Sequence, residues 1–175
     1  MPCSIFKGNI TKIDADAIVN AASSDLKRCP GICNAIFAAA DTARLEAACN
    51  DIGHCPIGEA VITESFGLPA KYIVHAAGPG WFGGTKNEKI VLKDCYRRSM
   101  ELAWYYGCRR IAIPLMFSGG LNISRSEAIK IAGCAISRFV SVFPADVVLV
   151  LYNEPIFNMA KQILKWETFC GWKTD

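Results

Sequence analysis

The chain has 175 residues, of which 52% are apolar or aromatic and 20% are charged, and its formal net charge is +3. This length suits one domain with a sizeable core, and the composition excludes an intrinsically disordered protein. Acidic and basic residues are interspersed, which argues against the basic stripe of a nucleic-acid-binding protein. No segment reaches the roughly 20 apolar residues of a membrane span, and no signal peptide is recognisable. We expect a soluble cytoplasmic monomer that binds neither membranes nor nucleic acid.

Short apolar segments alternate with helical patterns along the chain. The predicted strands are residues 17–22 (AIVNAA), 59–64 (EAVITE), 72–77 (YIVHAA), 110–115 (RIAIPL) and 146–152 (DVVLVLY), with a weaker one at 4–9. Their near-continuous apolar character is typical of strands that are buried on both faces. Helical spacing covers 32–50, 88–106, 124–142 and 155–166. Ser124 begins an S-x-x-E capping box, Gly107 marks a helix end and Pro155 suits a first helical turn.

This alternation predicts an α/β fold in which helices cover both faces of a mainly parallel sheet. The strands at 59–64 and 72–77 have no helix between them, so we expect one antiparallel pair and a mixed sheet. We predict a single domain over residues 1–167 and a C-terminal tail at 168–175 that frays. Ligands of open α/β sheets bind beyond the carboxyl ends of the strands. The loops 23–32 and 117–124 and the strand exit at 152–153 are expected at that edge.

The nine cysteines are odd in number and scattered, and Cys95, Cys108 and Cys134 fall in apolar segments. Free thiols pack in such segments as small hydrophobic groups, so we predict that the cysteines are reduced. An alternative is a zinc site, although no paired C-x-x-C motif supports one. Its ligands would come from Cys29, Cys33, Cys49, His54 and Cys55. We predict neither a metal nor an organic cofactor.

Two stretches near the N-terminus carry a known sequence pattern. Residues 8–11 read GNIT and residues 16–23 read DAIVNAAS, and the segments 55–81, 95–114 and 147–154 extend the similarity over nearly the whole chain. Together they resemble the macrodomain family, whose members have G-D-I-T and D-A-I-V-N-A-A-N at the first two places. The resemblance is greatest to the bacterial MacroD-like branch that includes O-acetyl-ADP-ribose deacetylases. It implies a three-layer α/β/α sandwich that binds ADP-ribose or an ADP-ribosylated protein.

The resemblance also implies where the adenine ring would bind. Asn9, where the family has Asp, would accept a hydrogen bond from the adenine amino group through its side-chain oxygen. The backbone amide of Ile10 would address the ring, and Tyr152 would stack beside it, a contact worth about 1–3 kcal/mol in other base-binding sites.

The implied diphosphate site is the turn that opens the helix after residue 31. Free N–H groups and the positive end of a helix dipole suit a diphosphate at that point. The implied contacts there are Gly31, Ile32 and Cys33, with Ser118, Gly119, Gly120 and Leu121 on a second phosphate wall. Those implied at the distal ribose are Ala21, Ala22 and Ser23.

The resemblance assigns Ser23 and Cys33 to the two positions that carry Asn and Asp in the commonest hydrolase pattern of the family. Serine reaches less far than Asn, and a neutral thiol cannot replace a carboxylate. Neither His54 nor His75 is obviously placed to activate Cys33, so we interpret it as an inert thiol. We expect ADP-ribose binding, with any ADP-ribosyl hydrolase or O-acetyl-ADP-ribose deacetylase activity weak or dependent on other residues.

The phosphate loops depart from the family, because RCPG at 28–31 replaces a glycine run and Phe117 replaces a serine. Proline removes an N–H donor, and Arg28 either supplies a cation to the diphosphate or is solvated. We expect Phe117 to narrow the pocket. If Phe117 and Arg28 plug it, the alternative function is a protein- or RNA-interaction module. His75 is predicted as a hydrogen-bonded core histidine, and Asn20 either bonds neighbouring backbone or shapes the ribose pocket.

Overall fold

The computed structural model describes residues 2–79, 87–117 and 123–172. The strands in these ranges are β1 (Cys3–Lys7), β2 (Ala17–Ala22), β3 (Ala60–Glu64), β4 (Tyr72–Ala77), β5 (Arg110–Pro114) and β6 (Asp146–Leu151). The α-helices are α1 (Ile32–Ala39), α2 (Thr42–Ile52), α3 (Glu88–Tyr105), α4 (Arg125–Val142) and α5 (Glu154–Leu164), and a 3₁₀ turn covers Ile10–Lys12. None of these helices is both long enough and apolar enough to cross a bilayer.

The strands form one sheet in the order β1-β6-β5-β2-β4-β3. Every neighbouring pair is parallel except β3 with β4, which run antiparallel. The predicted mixed, mainly parallel sheet is therefore confirmed. Because five of the six strands point the same way, their carboxyl ends meet at one edge of the sheet, where the loop after β2 and the exit from β6 also lie.

Alternate residues of each strand supply two separate cores. Ala17 and Val19 of β2 belong to the core beneath α3, α4 and α5, whereas Ile18 and Ala22 belong to the core beneath α1 and α2. This division follows from the strand period of two, which sends successive side chains to opposite faces. The result is the predicted three-layer α/β/α sandwich.

The single helix predicted over 32–50 is wrong, because two helices occupy that segment. The break lies at Asp41, whose side chain accepts a hydrogen bond from Arg44 N at 3.2 Å and so caps α2. The Asp41 N–H donates to the carbonyl of Phe66 at 2.8 Å, and the Thr42 hydroxyl donates to the carbonyl of Phe37 at 2.7 Å. An aspartate cap with these partners ends the first helix and starts the second.

The predicted helix starts at 124 and 155 are confirmed. Ser124 accepts a hydrogen bond from Glu127 N at 3.2 Å, while the Glu127 carboxylate pairs with Lys89 instead of completing the capping box. Asn153 caps α5 by accepting from Ile156 N at 3.0 Å, with Pro155 in the first turn. Both helices therefore begin directly after loops at the ligand edge of the sheet.

The C-terminal segment packs on β1, which differs from the expected fraying tail. Ile5 donates to the carbonyl of Glu167 at 3.0 Å, and Phe169 donates to the carbonyl of Ile5 at 2.8 Å. Thr168 forms an isolated parallel bridge with Ile5. The Phe169 ring makes edge contacts with Phe6 and Trp172, at centroid distances of 5.9 and 4.7 Å. These contacts cover the outer edge of β1 through residue 172.

Candidate functional site

A cavity of about 420 Å³ opens beside the carboxyl ends of β1 and β6 and the first turn of α1. Its described lining consists of Gly8, Asn9, Ile10, Gly31, Ile32, Ala35, Val150 and Tyr152. The fold thus brings together five residues that the sequence suggested as ligand contacts, drawn from three separate segments. The Tyr152 ring is 83% exposed, so one face of a large aromatic side chain remains available to a planar ligand.

Asn9 is held by the 3₁₀ turn that it begins. Its Oδ1 atom accepts hydrogen bonds from the backbone N–H of Thr11 at 3.0 Å and from the Thr11 hydroxyl at 2.9 Å. A backbone N–H can only donate, so the atom facing it must be the oxygen of the side-chain amide. The Asn9 NH₂ group makes no hydrogen bond within the described residues, and Asn9 is part of the cavity lining.

The start of α1 suits an anion. Gly31 precedes the helix with φ 84° and ψ −138°, a conformation that L side chains rarely adopt. No side chain caps the helix, and no acidic residue lies in its first turn. The first N–H groups of a helix lack intrahelical partners and carry the positive end of its dipole. A negatively charged group in the cavity would meet those N–H groups at Ile32 and its neighbours.

Cys33 is fully buried in the core beneath α1 and α2 and is not part of the described cavity lining. Its Sγ atom accepts from Cys29 N at 3.3 Å and from Asn20 Nδ2 at 3.8 Å, and the thiol donates to the carbonyl of Lys27 at 3.8 Å. Burial raises the pKa of the neighbouring Cys29 thiol to about 12, with the hydrogen bond to Cys33 adding to the effect. The geometry therefore gives Cys33 a packing role at the base of the turn.

A buried polar chain runs from Cys33 across the sheet. Asn20 Nδ2 lies 3.1 Å from His75 Nδ1, and His75 Nε2 lies 3.0 Å from the Thr63 hydroxyl. The Thr63 hydroxyl donates to the carbonyl of Glu64 at 2.9 Å, so it accepts from His75, whose other nitrogen then accepts from Asn20. Burial lowers the His75 pKa to about 4. The prediction of a hydrogen-bonded core histidine is thus confirmed. Asn20 bonds the side chains of Cys33 and His75 and not the neighbouring backbone that the sequence suggested.

Asp25 is a residue that the sequence did not single out. The Ser23 hydroxyl donates to Asp25 Oδ1 at 2.6 Å, and the same oxygen accepts from Lys27 N at 3.1 Å. These two hydrogen bonds lower the pKa of the exposed Asp25 carboxyl, the bond from Ser23 contributing most. The signal was the S-x-D spacing in a loop, because Asp commonly bonds the backbone two residues on. Ser23 and Asp25 therefore form one polar unit after β2.

Comparisons with known proteins agree with this architecture. The macro domain family model matches residues 19–132. A macro domain-containing protein of Methanosarcina mazei is 42% identical over 162 residues, covering 91% of this chain and 86% of that protein. The chain belongs to the macro domain family.

Two further proteins are similar over nearly the whole chain. An O-acetyl-ADP-ribose deacetylase of Citrobacter koseri is 37% identical over 163 residues, which cover 90% of this chain and 92% of that protein. The structure of an Oceanobacillus iheyensis macrodomain variant with ADPR matches with a TM-score of 0.84 and 31% identity, covering 92% of this chain and 90% of the other.

Phe117 packs against the exit from β4. Its ring lies so close to Gly78 that a Cβ atom added there would fall 2.0 Å from the ring. Gly78 N donates to the carbonyl of Ala22 at 3.1 Å, and Ala21 is half-buried beside it. Phe117 adopts φ 59°, which is uncommon for a bulky residue. The predicted contacts Ser118, Gly119, Gly120 and Leu121 lie outside the described residues.

Neither residue that was suspected of plugging the macrodomain pocket lies in the described lining of the cavity. Phe117 covers Gly78, and the Arg28 guanidinium donates from Nε to Asn34 Oδ1 at 2.7 Å on the exposed side of α1. Within the described residues, the space between Asn9, Gly31 and Tyr152 is therefore open.

The zinc alternative gains no geometric support. No group of three or more His, Cys, Asp or Glu side chains among residues 2–79, 87–117 and 123–172 is arranged to hold a metal ion. His54 is exposed while Cys33, Cys49 and Cys55 are buried, so these groups do not converge on one open position. All nine cysteines are unpaired thiols.

Proposed function

We propose that this macrodomain binds ADP-ribose or a related ADP-ribosyl group in the cavity between Asn9, Gly31 and Tyr152. The observation that carries the proposal is the uncapped start of α1, which opens into a cavity that has an exposed aromatic ring at its other side. An anion is stabilised at such a helix start, and a base is stabilised by stacking on such a ring. A similar macrodomain structure contains ADPR.

In this proposal each part of the ligand meets a different segment. The base lies against Tyr152 beside Asn9 and Ile10, and the diphosphate meets the N–H groups of the turn at 31–33. The distal ribose extends towards Ala21, Ala22 and Ser23 at the end of β2. A single domain over residues 1–167 carries all of these contacts.

The second candidate activity of this protein is hydrolysis of an ADP-ribosyl or O-acetyl group. Its support is the similarity to an O-acetyl-ADP-ribose deacetylase of Citrobacter koseri. We infer that any such activity is weak and independent of the Cys33 thiol, because that thiol is buried and bonded within the protein. Ser23, whose hydroxyl donates to Asp25 at 2.6 Å, directly follows Ala21 and Ala22 at the end of β2. The diphosphate of the ligand itself can hold the attacking water when the loops position it.

Isothermal titration with ADP-ribose tests binding. We expect a single site in the micromolar range and a loss of affinity of roughly tenfold in Tyr152→Ala, since a base stack is worth about 1–3 kcal/mol. Tyr105→Ala is the matched control, because Tyr105 is equally exposed, at 84%, but lies on α3. Absence of heat at millimolar ADP-ribose would remove the proposal.

Release of ADP-ribose from a mono-ADP-ribosylated protein tests hydrolysis. We expect slow release that changes by less than about twofold in Cys33→Ala, since an inert thiol contributes only packing. Cys49→Ala is a matched control for the loss of a buried thiol in the same core. A large loss of activity in Cys33→Ala alone would contradict an inert role for Cys33.

We further propose that the protein acts in the cytoplasm as a monomer. The unpaired state of all nine cysteines supports a reducing compartment, since disulfides form where the environment is oxidising. Cys134 and Cys170 are exposed, so an oxidising compartment would leave them open to intermolecular pairing. Fractionation of the source cells tests the location, and we expect the protein in the cytoplasmic fraction. Light scattering of the purified protein tests the oligomeric state, and we expect the mass of one chain.

A further inference from the structure

A groove of about 450 Å³ runs between α3 and α4, on the face of the sheet opposite to α1. We propose that this α3–α4 groove binds an acidic amphipathic helix of a partner protein. Its described lining shares no residue with the cavity beside Tyr152. Binding in the groove therefore does not depend on the proposed function.

The groove presents apolar side chains to solvent. Ile90 of α3 and Val142 of α4 line it and are 57% and 72% exposed. Phe139 and Phe143 line it as well, with their rings stacked at a centroid distance of 4.8 Å. Apolar groups that share one concave surface are typical of a protein-binding site, because an apolar partner removes them from water together.

The net positive charge of the chain is concentrated on the two helices that form the groove. α3 and α4 carry seven basic and four acidic side chains, a difference of +3 that equals the formal net charge of the whole chain. The other segments are therefore balanced overall. A partner that docks between α3 and α4 meets a positive surface, and negative charge on that partner would orient and speed its association.

The acidic side chains of the groove are paired, whereas two of its cations are not. The Arg97 guanidinium bonds the carboxylates of Asp94 and Glu101, both at 3.0 Å. Lys93 and Arg138 are exposed on opposite walls of the groove, and their side chains make no hydrogen bond or ion pair within the described residues. Carboxylates on both sides of an apolar stripe would supply the missing partners.

The dimensions of the groove suit a helix of about three turns. α3 lines it from residue 90 to 101 and α4 from residue 134 to 143, lengths of about 16 and 13 Å at the rise of an α-helix. A third helix would place apolar side chains at i, i+3, i+4 and i+7 in the groove. Nucleic acid would match the cations but leave the apolar lining exposed, and a flat membrane surface does not enter a groove.

Selection from a phage-displayed library of random peptides tests the proposal on the immobilised full-length protein. Peptides of about 16 residues allow four helical turns. We expect the enriched sequences to combine apolar residues at helical spacing with flanking Asp or Glu. Fluorescence anisotropy then measures the best of these peptides. We expect Arg138→Glu to weaken its binding about tenfold and Val142→Ser about fivefold, because these variants reverse an unpaired charge and remove an exposed apolar contact.

Lys161→Glu and Ile52→Ser are the matched controls, since they make comparable changes at exposed positions of α5 and α2. Neither should change the affinity for the peptide. All four substituted side chains are exposed, so the variants should keep the wild-type thermal unfolding transition.

Three results would overturn the proposal. The first is a library that enriches no sequence, or only basic or uncharged ones. The second is a selected acidic peptide that binds Arg138→Glu and Val142→Ser as tightly as the wild type. The third is another occupant whose binding is lost in Arg138→Glu: a second copy of the chain, detected as a dimer by light scattering, or an oligonucleotide that binds more tightly than any selected peptide.

Discussion

The two ends of the parallel strands contrast in how their polar groups are paired. At the amino ends, the Asp16 carboxylate accepts from the N–H groups of Arg109 and Arg110, both at 2.8 Å, and from the Arg110 guanidinium at 3.0 Å. The Asp16 backbone pairs with Arg110 and Tyr72. At the carboxyl ends, α1 begins without a cap and the Asn9 NH₂ group has no partner in the described residues.

This contrast separates polar groups that are bonded within the fold from polar groups that have no partner in the described residues. Burial works against the Asp16 carboxylate, yet its backbone and guanidinium partners together hold its pKa below the ordinary value. Such a group stabilises the fold and has no capacity left for a ligand. At the carboxyl ends, the first N–H groups of α1 and the Asn9 NH₂ group have no partner in the described residues. Such donors lower the stability of the fold only slightly while water solvates them, and the N–H groups at a helix start can bind an anionic ligand.

The largest change in the free energy of unfolding should come from the buried polar chain that joins the sheet to α1. Its members are Cys33, Asn20, His75 and Thr63. Burial lowers the pKa of His75 to about 4 in the folded protein, below the value of about 6.5 for an exposed histidine, so between these values the unfolded chain binds more protons. The free energy of unfolding should fall by about 3 kcal/mol as pH drops from 6.5 towards 4, and that contribution is fully present above pH 6.5. Urea unfolding at several pH values measures this slope.

His54→Gln serves as the control for that slope, since His54 is the other histidine and is exposed. The slope should persist in His54→Gln and shrink in His75→Gln. A wild-type protein whose stability is flat from pH 6.5 to 4.5 would mean that His75 is charged or accessible in the folded state.

Removing the carboxylate at the amino ends should affect stability but not ligand binding. Asp16→Ala leaves the Arg110 guanidinium and two N–H groups without their acceptor, and we expect a loss of about 2 kcal/mol in the free energy of unfolding. Asp16→Asn, which keeps one acceptor oxygen, should lose about half as much. The affinity for ADP-ribose should stay within about twofold in both variants, since a distant site is independent. A tenfold drop in affinity would show that the two ends are coupled.

A variant at the carboxyl ends should lower ligand affinity as well as stability. Gly31→Ala places a side chain at φ 84°, where L residues are strained, although no neighbouring atom would clash with it. We expect a stability loss of about 1 kcal/mol and a drop in ADP-ribose affinity of roughly fivefold, because the backbone at the start of α1 would shift. Gly107→Ala is a control with a similar φ of 82° at the end of α3. It should lose stability without losing affinity.

The smallest change in ADP-ribose affinity is expected when Arg28 is substituted. Its guanidinium bonds Asn34 on the exposed side of α1 and is absent from the described lining of the cavity. Arg28→Ala should change ADP-ribose affinity by less than about twofold at physiological salt, since an exposed charge is largely screened. A stronger loss that disappears at high salt would instead assign Arg28 to the diphosphate.

The sheet was predictable from sequence because its strands are short apolar runs with helical segments between them. The break at Asp41 was missed because the alanine-rich run on both sides keeps helical spacing, and a cap is recognisable only when its partner Arg44 is considered. The packing of residues 167–172 on β1 was missed because it depends on the edge of a strand far away in sequence.

The candidate site was predictable in part. The position of Gly31 and Ile32 in the cavity lining follows from the strand-to-helix order. The use of the Asn9 oxygen by Thr11 depends on a 3₁₀ turn that the sequence did not reveal. The chain from Cys33 to His75 joins residues that become neighbours only through the register of β2 and β4, in which Asn20 pairs with His75.

Amide chemical shifts during titration with ADP-ribose test the contrast between the two ends most directly. We expect large, saturable shifts for Ile10, Gly31 and Ile32 at the carboxyl ends, and unchanged shifts for Arg109 and Arg110 at the amino ends. Saturable shifts confined to Arg109 and Arg110, or none anywhere at millimolar ligand, would contradict it.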